Sequence, residues 1–111
     1  MRTSILILII TCFFYGTCKK PPEISACIQS HIETFKKSPL CDQSASVKEY
    51  LFMEKKVYVF DEGNCCCDRA ASVLDINCSS LGILGGIAGI TKINGVDFAS
   101  NAVYIKTLWK N

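Results

Sequence analysis

Cysteine is the residue type in this sequence that could do chemistry, and its spacing is unusual. Three thiols stand side by side at Cys65, Cys66 and Cys67. Five more are spread along the chain, at Cys12, Cys18, Cys27, Cys41 and Cys78. A cysteine can act as a nucleophile, bind a metal or form a disulfide, and the redox state of its compartment largely decides which. The N-terminus therefore has to be interpreted first.

The first residues have the layout of an export signal. Arg2 is basic, residues 5–10 are uninterruptedly aliphatic, and the apolar stretch ends before Lys19 and Lys20. A membrane-crossing helix needs about 20 apolar residues, and this stretch is shorter. A short apolar segment behind a basic start is typical of a signal peptide. We predict a signal peptide of lipoprotein type over residues 1–17.

Cys18 follows the apolar stretch directly, in the order Tyr15, Gly16, Thr17, Cys18. A cysteine at this place favours a bacterial lipoprotein, in which Cys18 carries the lipid and residues 18–23 form a tether to the membrane. We then expect a cell-envelope protein, facing the periplasm or exposed on the outer membrane. The alternative is ordinary secretion with Cys18 kept as a thiol. Cys12 is a weaker lipidation candidate, because it would leave a very short apolar core.

With Cys12 in the signal and Cys18 lipidated, six cysteines remain, and an even number in an exported small domain predicts disulfides. Neighbouring Cα atoms lie about 3.8 Å apart, whereas disulfides start at about 4.4 Å, so adjacent cysteines pair only under strain. If the triplet avoids itself, each member takes one of Cys27, Cys41 and Cys78. A bond from Cys65 to Cys67, or a strained vicinal bond, would instead free Cys27 to close on Cys41.

Metal binding and catalysis are less well supported by the spacing. Zinc sites generally place their cysteines two to four residues apart, and this chain has no CxxC pair. His31 is the only histidine, and no acidic partner for it is evident. We expect it to be a neutral imidazole packed within an apolar helix face and holding one hydrogen bond. The sequence therefore predicts no catalytic residue, no metal and no cofactor.

Residues 24–37 have helical periodicity. Their apolar members fall on one face, and they are Ile24, Ile28, Ile32 and Phe35. Cys27 lies at the edge of this face, so a disulfide from it would pin the helix to its neighbour. Ser38 and Pro39 end the helix.

Three further segments predict strands. Residues 46–60 indicate a hairpin with its turn at 54–56, and residues 70–76 indicate a third strand. Apolar groups on both faces of the hairpin predict the helix on one face and a loop on the other. Residues 102–109 predict a last strand, with one side formed by Val103, Ile105, Thr107 and Trp109. The predicted fold is α+β: one domain over residues 24–111, with an N-terminal helix packed on a small antiparallel sheet and disulfide cross-links.

Residues 81–90 form an apolar segment rich in glycine, at Gly82, Gly85, Gly86 and Gly89. Their spacing fits neither a dinucleotide fingerprint nor a phosphate loop. We expect a tight apolar loop packed closely against the sheet. The alternative is an exposed apolar loop that binds a partner.

Charge argues against nucleic acid as a partner. The net charge is +2 over the whole chain, and removal of Arg2 with the signal leaves 11 basic against 10 acidic residues. The lysines are scattered in pairs rather than gathered into one patch, so the electrostatic footprint of a nucleic-acid-binding protein is missing.

Several short motifs follow one another along the predicted mature chain: SVKEYLF at 46–52, VYVFD at 57–61, GNC at 63–65, LG at 81–82, LGGIAG at 84–89, TKING at 91–95, DF at 97–98 and the tryptophan at 109. In this order they resemble an uncharacterised family of small Bacteroidota lipoproteins, described as a domain of unknown function. The resemblance implies lipid anchoring in the cell envelope through Cys18. It implies no catalytic or ligand-binding residue.

Taken together, the sequence favours a lipid-anchored envelope protein that is not an enzyme. We expect it to bind a protein or peptide through its glycine-rich segment or an open sheet edge. Inhibition of an exported enzyme is one form that this could take. The alternative is a thiol-based redox or metal-binding protein that uses Cys65, Cys66 and Cys67.

Overall fold

The computed structural model describes residues 24–64 and 69–111, so the predicted signal peptide, the tether, Cys12, Cys18 and the cysteine triplet lie outside the described residues. The elements in chain order are α1 (Ala26–Lys36), β1 (Ser46–Phe52), β2 (Lys55–Asp61), β3 (Ala70–Asp75), β4 (Ser80–Gly85), β5 (Lys92–Ile93), β6 (Val96–Asp97), α2 (Phe98–Asn101) and β7 (Val103–Lys110). Neither helix in these two ranges has the length and apolar character that crossing a bilayer would require.

The long strands form one antiparallel sheet of five, in the order β4-β3-β2-β1-β7, and β5 pairs with β6 in a separate two-stranded ribbon. Strands β1 and β2 form the hairpin predicted for residues 46–60, and β3 is the strand predicted for residues 70–76. The α+β prediction, with one long helix on an antiparallel sheet, is confirmed.

Helix α1 covers one face of the sheet. It begins at Ser25, whose hydroxyl accepts a hydrogen bond from the Ile28 backbone N–H at 3.2 Å, as an N-cap does. The helix residues Ile28 and Ile32 are buried in a cluster with side chains from the three central strands, which are Val47, Tyr58, Phe60 and Leu74. We call this the helix face.

The opposite face is covered by the β5–β6 ribbon and the single turn of α2. Ile93 from the ribbon and Phe98 from α2 are buried against four strand residues, which are Phe52, Val57, Val59 and Val73. This explains why β2 is apolar on both sides. The predicted covering loop is therefore a ribbon and a short helix. We call this the ribbon face.

The disulfide pairing differs from both schemes that the cysteine spacing suggested. Cys27 in the first turn of α1 is bonded to Cys78, in the turn between β3 and β4, with 6.1 Å between their Cα atoms. The start of α1 lies beside that turn, since the Ser25 hydroxyl donates to the Ile76 carbonyl at 2.7 Å. Cys41 is also disulfide-bonded. The prediction that a bridge from Cys27 would pin the helix to the sheet is confirmed, but not the prediction of its partner.

The glycine-rich segment is a strand in its first half, and the prediction of a loop was wrong there. Residues 80–85 are edge strand β4, and only residues 86–89 form a turn. Gly82 lets the ribbon approach, because a Cβ atom built on it would lie 3.0 Å from Cδ1 of Ile93. Close packing by a glycine, rather than turn formation, is its role.

The last strand departs from simple alternation. Two irregularities in its pairing with β1 make Val47 face Trp109, Lys48 face Thr107 and Tyr50 face Tyr104. Each irregularity leaves one extra residue on β7, as a bulge does. The prediction of one common side for Val103, Ile105, Thr107 and Trp109 was therefore wrong.

The β1–β2 turn is also shorter than predicted. It consists of Met53 and Glu54 alone, both with positive φ (51° and 65°). Two consecutive residues with positive φ are the pattern of a type I′ hairpin turn, which asparagine and glycine prefer.

The sheet has two ends, which differ in what they carry. The turn end carries the Met53–Glu54 turn, the Ile76–Ser79 turn, the start of β7 and the start of α1. The loop end carries Gly63, the turn at residues 86–89 and the end of β7. Helix α1 runs from the turn end to the loop end, where Phe35 meets Trp109 with ring centroids 6.1 Å apart.

Candidate functional site

A cleft of about 400 Å³ opens on the ribbon face toward the loop end. It lies between strand β4 on one side and the aromatic residues of β1 and α2 on the other. The side chains and glycines that line it are Tyr50, Val59, Asp61, Gly63, Asn64, Arg69, Ala71, Leu84, Gly85 and Phe98. It is open to solvent, with apolar walls and a few polar groups, and so offers a surface that a protruding side chain could enter.

The aromatic wall is built by edge-to-face contacts. The Tyr50 ring lies 5.2 Å from that of Phe98 and 5.8 Å from that of Tyr104, both in T-shaped geometry. Phe98 also packs on Phe52 at 5.0 Å, which fixes α2 against the sheet. Burial raises the pKa of Tyr50 most, and Tyr104 and the Asp61 carboxylate raise it further, so its hydroxyl stays protonated. The wall therefore offers a hydrogen-bond donor above an apolar surface.

The other end of the cleft is polar. The Asp61 carboxylate accepts from the Gly63 backbone N–H at 2.9 Å, which holds the chain as it leaves β2. Arg69 donates to the Pro39 carbonyl at 3.1 Å and lies 3.6 Å from the Glu62 carboxylate. This end can therefore meet a polar or charged group of a ligand while the walls contact an apolar one.

The segment behind the polar end, residues 41–45, is held by hydrogen bonds between its backbone and the side chain of Asn111. Asn111 donates from its side chain to the Cys41 carbonyl at 2.6 Å and accepts from the Ala45 N–H at 3.0 Å. Gly63 lies against this segment with φ of 101°, and a Cβ atom there would come within 2.5 Å of Cβ of Cys41. Only glycine fits this position, so the predicted turn around Gly63 is a packing site as well.

The glycine-rich turn projects beyond the cleft. Gly85 and Ile90 exchange two backbone hydrogen bonds, at 2.7 and 3.1 Å, and so close a four-residue loop. Ile87 at its tip is 92% exposed. Gly85 also lines the cleft, and it and Gly86 have positive φ (79° and 77°). Of the four candidate loop glycines, Gly82 packs under the ribbon, Gly85 links the cleft to the loop, and Gly86 and Gly89 shape the tip.

The candidate thiols and the histidine do not form a reactive group in the described residues. Cys27, Cys41 and Cys78 are all in disulfides. His31 is exposed, with its ring edge-on to Phe60 at 4.9 Å, and is not packed within the apolar face as predicted. Residues 24–64 and 69–111 contain no group of three metal-binding side chains placed to hold an ion. Thiol or metal chemistry would have to depend on the triplet, which lies outside them.

A buried polar pair on the helix face was missed in the sequence. Glu49 and Tyr58 are cross-strand neighbours and fully buried. Among the described residues, Glu49 Oε2 and the Tyr58 hydroxyl lack partners in hydrogen-bonding geometry. Burial, and then the Glu49 carboxylate, raise the pKa of Tyr58 to about 12. The alternation of β1 places Glu49 on the same face as Val47, which is the signal that could have revealed it.

We compared the chain with protein-family profiles, curated proteins and solved structures. No curated protein and no solved structure gives a significant match to this chain. A family profile matches residues 33–111, from the second half of α1 through the end of β7, and so spans the whole sheet and the cleft. On that match the chain belongs to the family DUF6970, a domain of unknown function.

Proposed function

We propose that this protein is a lipid-anchored cell-envelope protein, not an enzyme, that binds a protein or peptide at the loop end of its sheet. The observation that carries the proposal is the position of Ile87. Ile87 is 92% exposed at the tip of a closed loop, and it extends the apolar walls of the neighbouring cleft into one surface that a partner can cover.

The cleft and the loop suit an extended peptide or a protein loop. Tyr50, Leu84 and Phe98 can bury one apolar side chain of the partner, since burial of such a side chain contributes about 1.5 to 3 kcal/mol. Arg69 and Asp61 at the polar end can pair with a charged or amide group next to it. Ile87 adds a second apolar contact outside the cleft. Aromatic anchors with a polar rim are the usual composition of protein-binding hot spots.

The sheet edges are less suited to adding a strand from a partner. The outer side of β4 is already taken at Gly85 by its bonds to Ile90. The outer strand β7 has two bulges and carries Lys106 and Lys110. Bulges and lysines are features that discourage edge-to-edge pairing. Of the two binding modes that the sequence suggested, we therefore propose binding through the loop.

The anchor is proposed at Cys18, after removal of residues 1–17, with residues 18–23 as its tether. Cell-envelope localisation, on the periplasmic face or on the outer surface, follows from that. The geometry of the described residues supports this arrangement, because the chain enters α1 at the turn end and the cleft opens toward the loop end. A partner could then reach the cleft from the side away from the membrane.

The test is affinity capture from a detergent extract of the envelope, with Ile87→Asp compared against Met53→Asp. Both changes place a carboxylate on an exposed apolar residue in a turn, but at opposite ends of the sheet. Gly85 and Gly86 are poor targets, since side chains at their positive φ would strain the fold. We expect at least one protein to be captured by the wild type and Met53→Asp but lost with Ile87→Asp. Binding of that purified partner should weaken about tenfold or more. Equal capture by all three proteins would contradict the role of the loop.

A further inference from the structure

We infer that the turn end of the sheet is a membrane-contacting surface that lies against the lipid headgroups of the bilayer. The inference rests on the proposed lipid anchor and extends it: the protein would be attached to the bilayer not by the lipid alone but also by a defined face of the folded domain.

The surface begins with a row of residues that crosses the sheet at this end. The strand registers pair Val103 with Leu51 and Leu51 with Lys56, and Ile76 follows one step beyond the last pair of β2 and β3. Val103 is 62% exposed, and Leu51 and Ile76 are exposed as well. Met53, at the tip of the adjoining turn, is 55% exposed. Four of the eight exposed large apolar side chains of the described residues thus lie at the turn end.

Helix α1 does not cover this row, because the helix starts beside it. The next row inward on the helix face contains Glu49 and Tyr58, which are buried. The Ser25 hydroxyl at the helix start donates to the Ile76 carbonyl. This row, apolar except for Lys56 between Leu51 and Ile76, is therefore left open on the helix face, directly next to the place where the chain enters the domain.

Chain length then fixes what can lie against this surface. Cys18 is six residues before Ile24 (24 − 18), so a lipid on it lies within about 20 Å of Ile24 whatever path the chain takes. A domain of about 100 residues has a radius of gyration near 13 Å, hence a diameter above 20 Å. A second protein domain would not fit between the turn end and the bilayer. The bilayer itself is therefore the occupant that the tether favours.

The charged side chains at this end place basic groups next to the apolar ones. Lys55 and Lys56 are exposed, and two carboxylates, Glu54 and Asp75, balance their charge. Asp75 is engaged in the adjoining turn, where it accepts from the Asn77 and Ser79 N–H groups at 2.9 Å. The two exposed lysines can therefore reach lipid phosphates beside the apolar residues.

The test uses tryptophan fluorescence in vesicles that contain brominated anionic lipids, which quench only nearby rings. Val103→Trp places the reporter in the apolar row, and Ile87→Trp places a matched one on the loop. Native Trp109 at the loop end is the internal reference. With the full acylated protein we expect Val103→Trp to lose about half or more of its added emission, because a contacting residue lies within about 10 Å of the acyl chains. Wild type and Ile87→Trp should lose almost none. Equal quenching of both variants, or quenching of neither, would overturn the inference.

A second change separates contact from mere proximity. Leu51→Glu in the Val103→Trp background should reduce the quenching by at least about half, since a charged group withdraws from the interface. Unchanged quenching would contradict the apolar contact. Intact mass reports separately whether Cys18 is acylated. If it is not, the proposed lipid anchor is wrong, but the protein added to the vesicles must still show stronger quenching at position 103 than at position 87. Its absence there, or a dimer in solution that Leu51→Glu dissociates, would overturn the inference as well.

Discussion

The two ends of the sheet are built in opposite ways. Each end carries a disulfide-bonded cysteine: Cys27–Cys78 joins the start of the helix to the β3–β4 turn, and Cys41 lies beside Gly63 at the loop end. What distinguishes the turn end is its outer row of residues, which is apolar except for Lys56. The loop end leaves a cleft of about 400 Å³ open between β4 and the aromatic wall and extends a loop past it. The two proposals therefore assign membrane attachment to one end and partner binding to the other.

The largest effect should come from opening the turn end. Cys27→Ser with Cys78→Ser removes a crosslink that spans 51 residues, which should lower the free energy of unfolding by roughly 3 to 4 kcal/mol. Urea denaturation measures it. Ile87→Asp at the loop end is the control and should change stability by no more than about 0.5 kcal/mol, because Ile87 is exposed. Equal stabilities of the double variant and the wild type would show that the helix is held by packing alone.

At the loop end, we expect the fold to be most sensitive to substitution of Gly63. Gly63→Ala combines positive φ with a Cβ atom that would lie 2.5 Å from Cys41 and Ser44 atoms, so we expect a loss of about 2 to 3 kcal/mol. Gly89→Ala is the matched control, since its φ is positive (61°) but nothing lies within 4 Å of the added Cβ. It should cost only about 1 kcal/mol. Similar losses from the two substitutions would mean that packing against Cys41 contributes nothing.

The buried pair between the two ends should respond to alkaline pH. The pKa of Tyr58 is raised from 10.0 to about 12, so the folded state binds the phenolic proton more tightly than the unfolded state. That stability is fully present below pH 10 and is lost as the pH rises toward 12, by roughly 1.4 kcal/mol for each pH unit, so about 1.4 kcal/mol is lost by pH 11. Tyr58→Phe should remove this part of the decline. Denaturation curves at pH 8 and pH 11 measure it, and parallel declines in the two proteins would be the contrary result.

The smallest expected effect is a gain in stability from substitutions in the β1–β2 turn. Met53 and Glu54 both have positive φ, which their side chains disfavour. Met53→Asn with Glu54→Gly supplies the residues that a type I′ turn prefers, and should raise the melting temperature by a few degrees, for a gain of up to about 1 kcal/mol. An unchanged or lower melting temperature would show that the native pair is not strained.

The local parts of this fold could be predicted from sequence, and the non-local parts could not. The period of Ile24, Ile28 and Ile32 predicts the helix, and the β-branched and aromatic residues of the second run predict the first hairpin. The bulges in β7 leave no trace in the sequence, because they arise where the strand meets β1. Strand β4 was mistaken for a loop because it contains glycines, which normally break strands; here Gly82 makes room for Ile93.

The candidate site was predictable in part for the same reason. The glycines of the loop stand out in the sequence, but the cleft beside them joins residues from β1, β2, β3, β4 and α2. Arg69 and Tyr50 give no local sign that they share one cavity. Disulfide partners are equally non-local: Cys27 pairs with Cys78 because the helix starts beside the β3–β4 turn, a fact of tertiary packing.

The claim that the turn end contacts lipid and the loop end contacts a protein is tested most directly by photocrosslinking in intact cells. One photoreactive amino acid is placed at position 103 in one variant of the full chain and at position 87 in another. We expect a lipid adduct from position 103 and a protein adduct from position 87. Protein adducts from position 103, or lipid adducts from position 87, would contradict that claim.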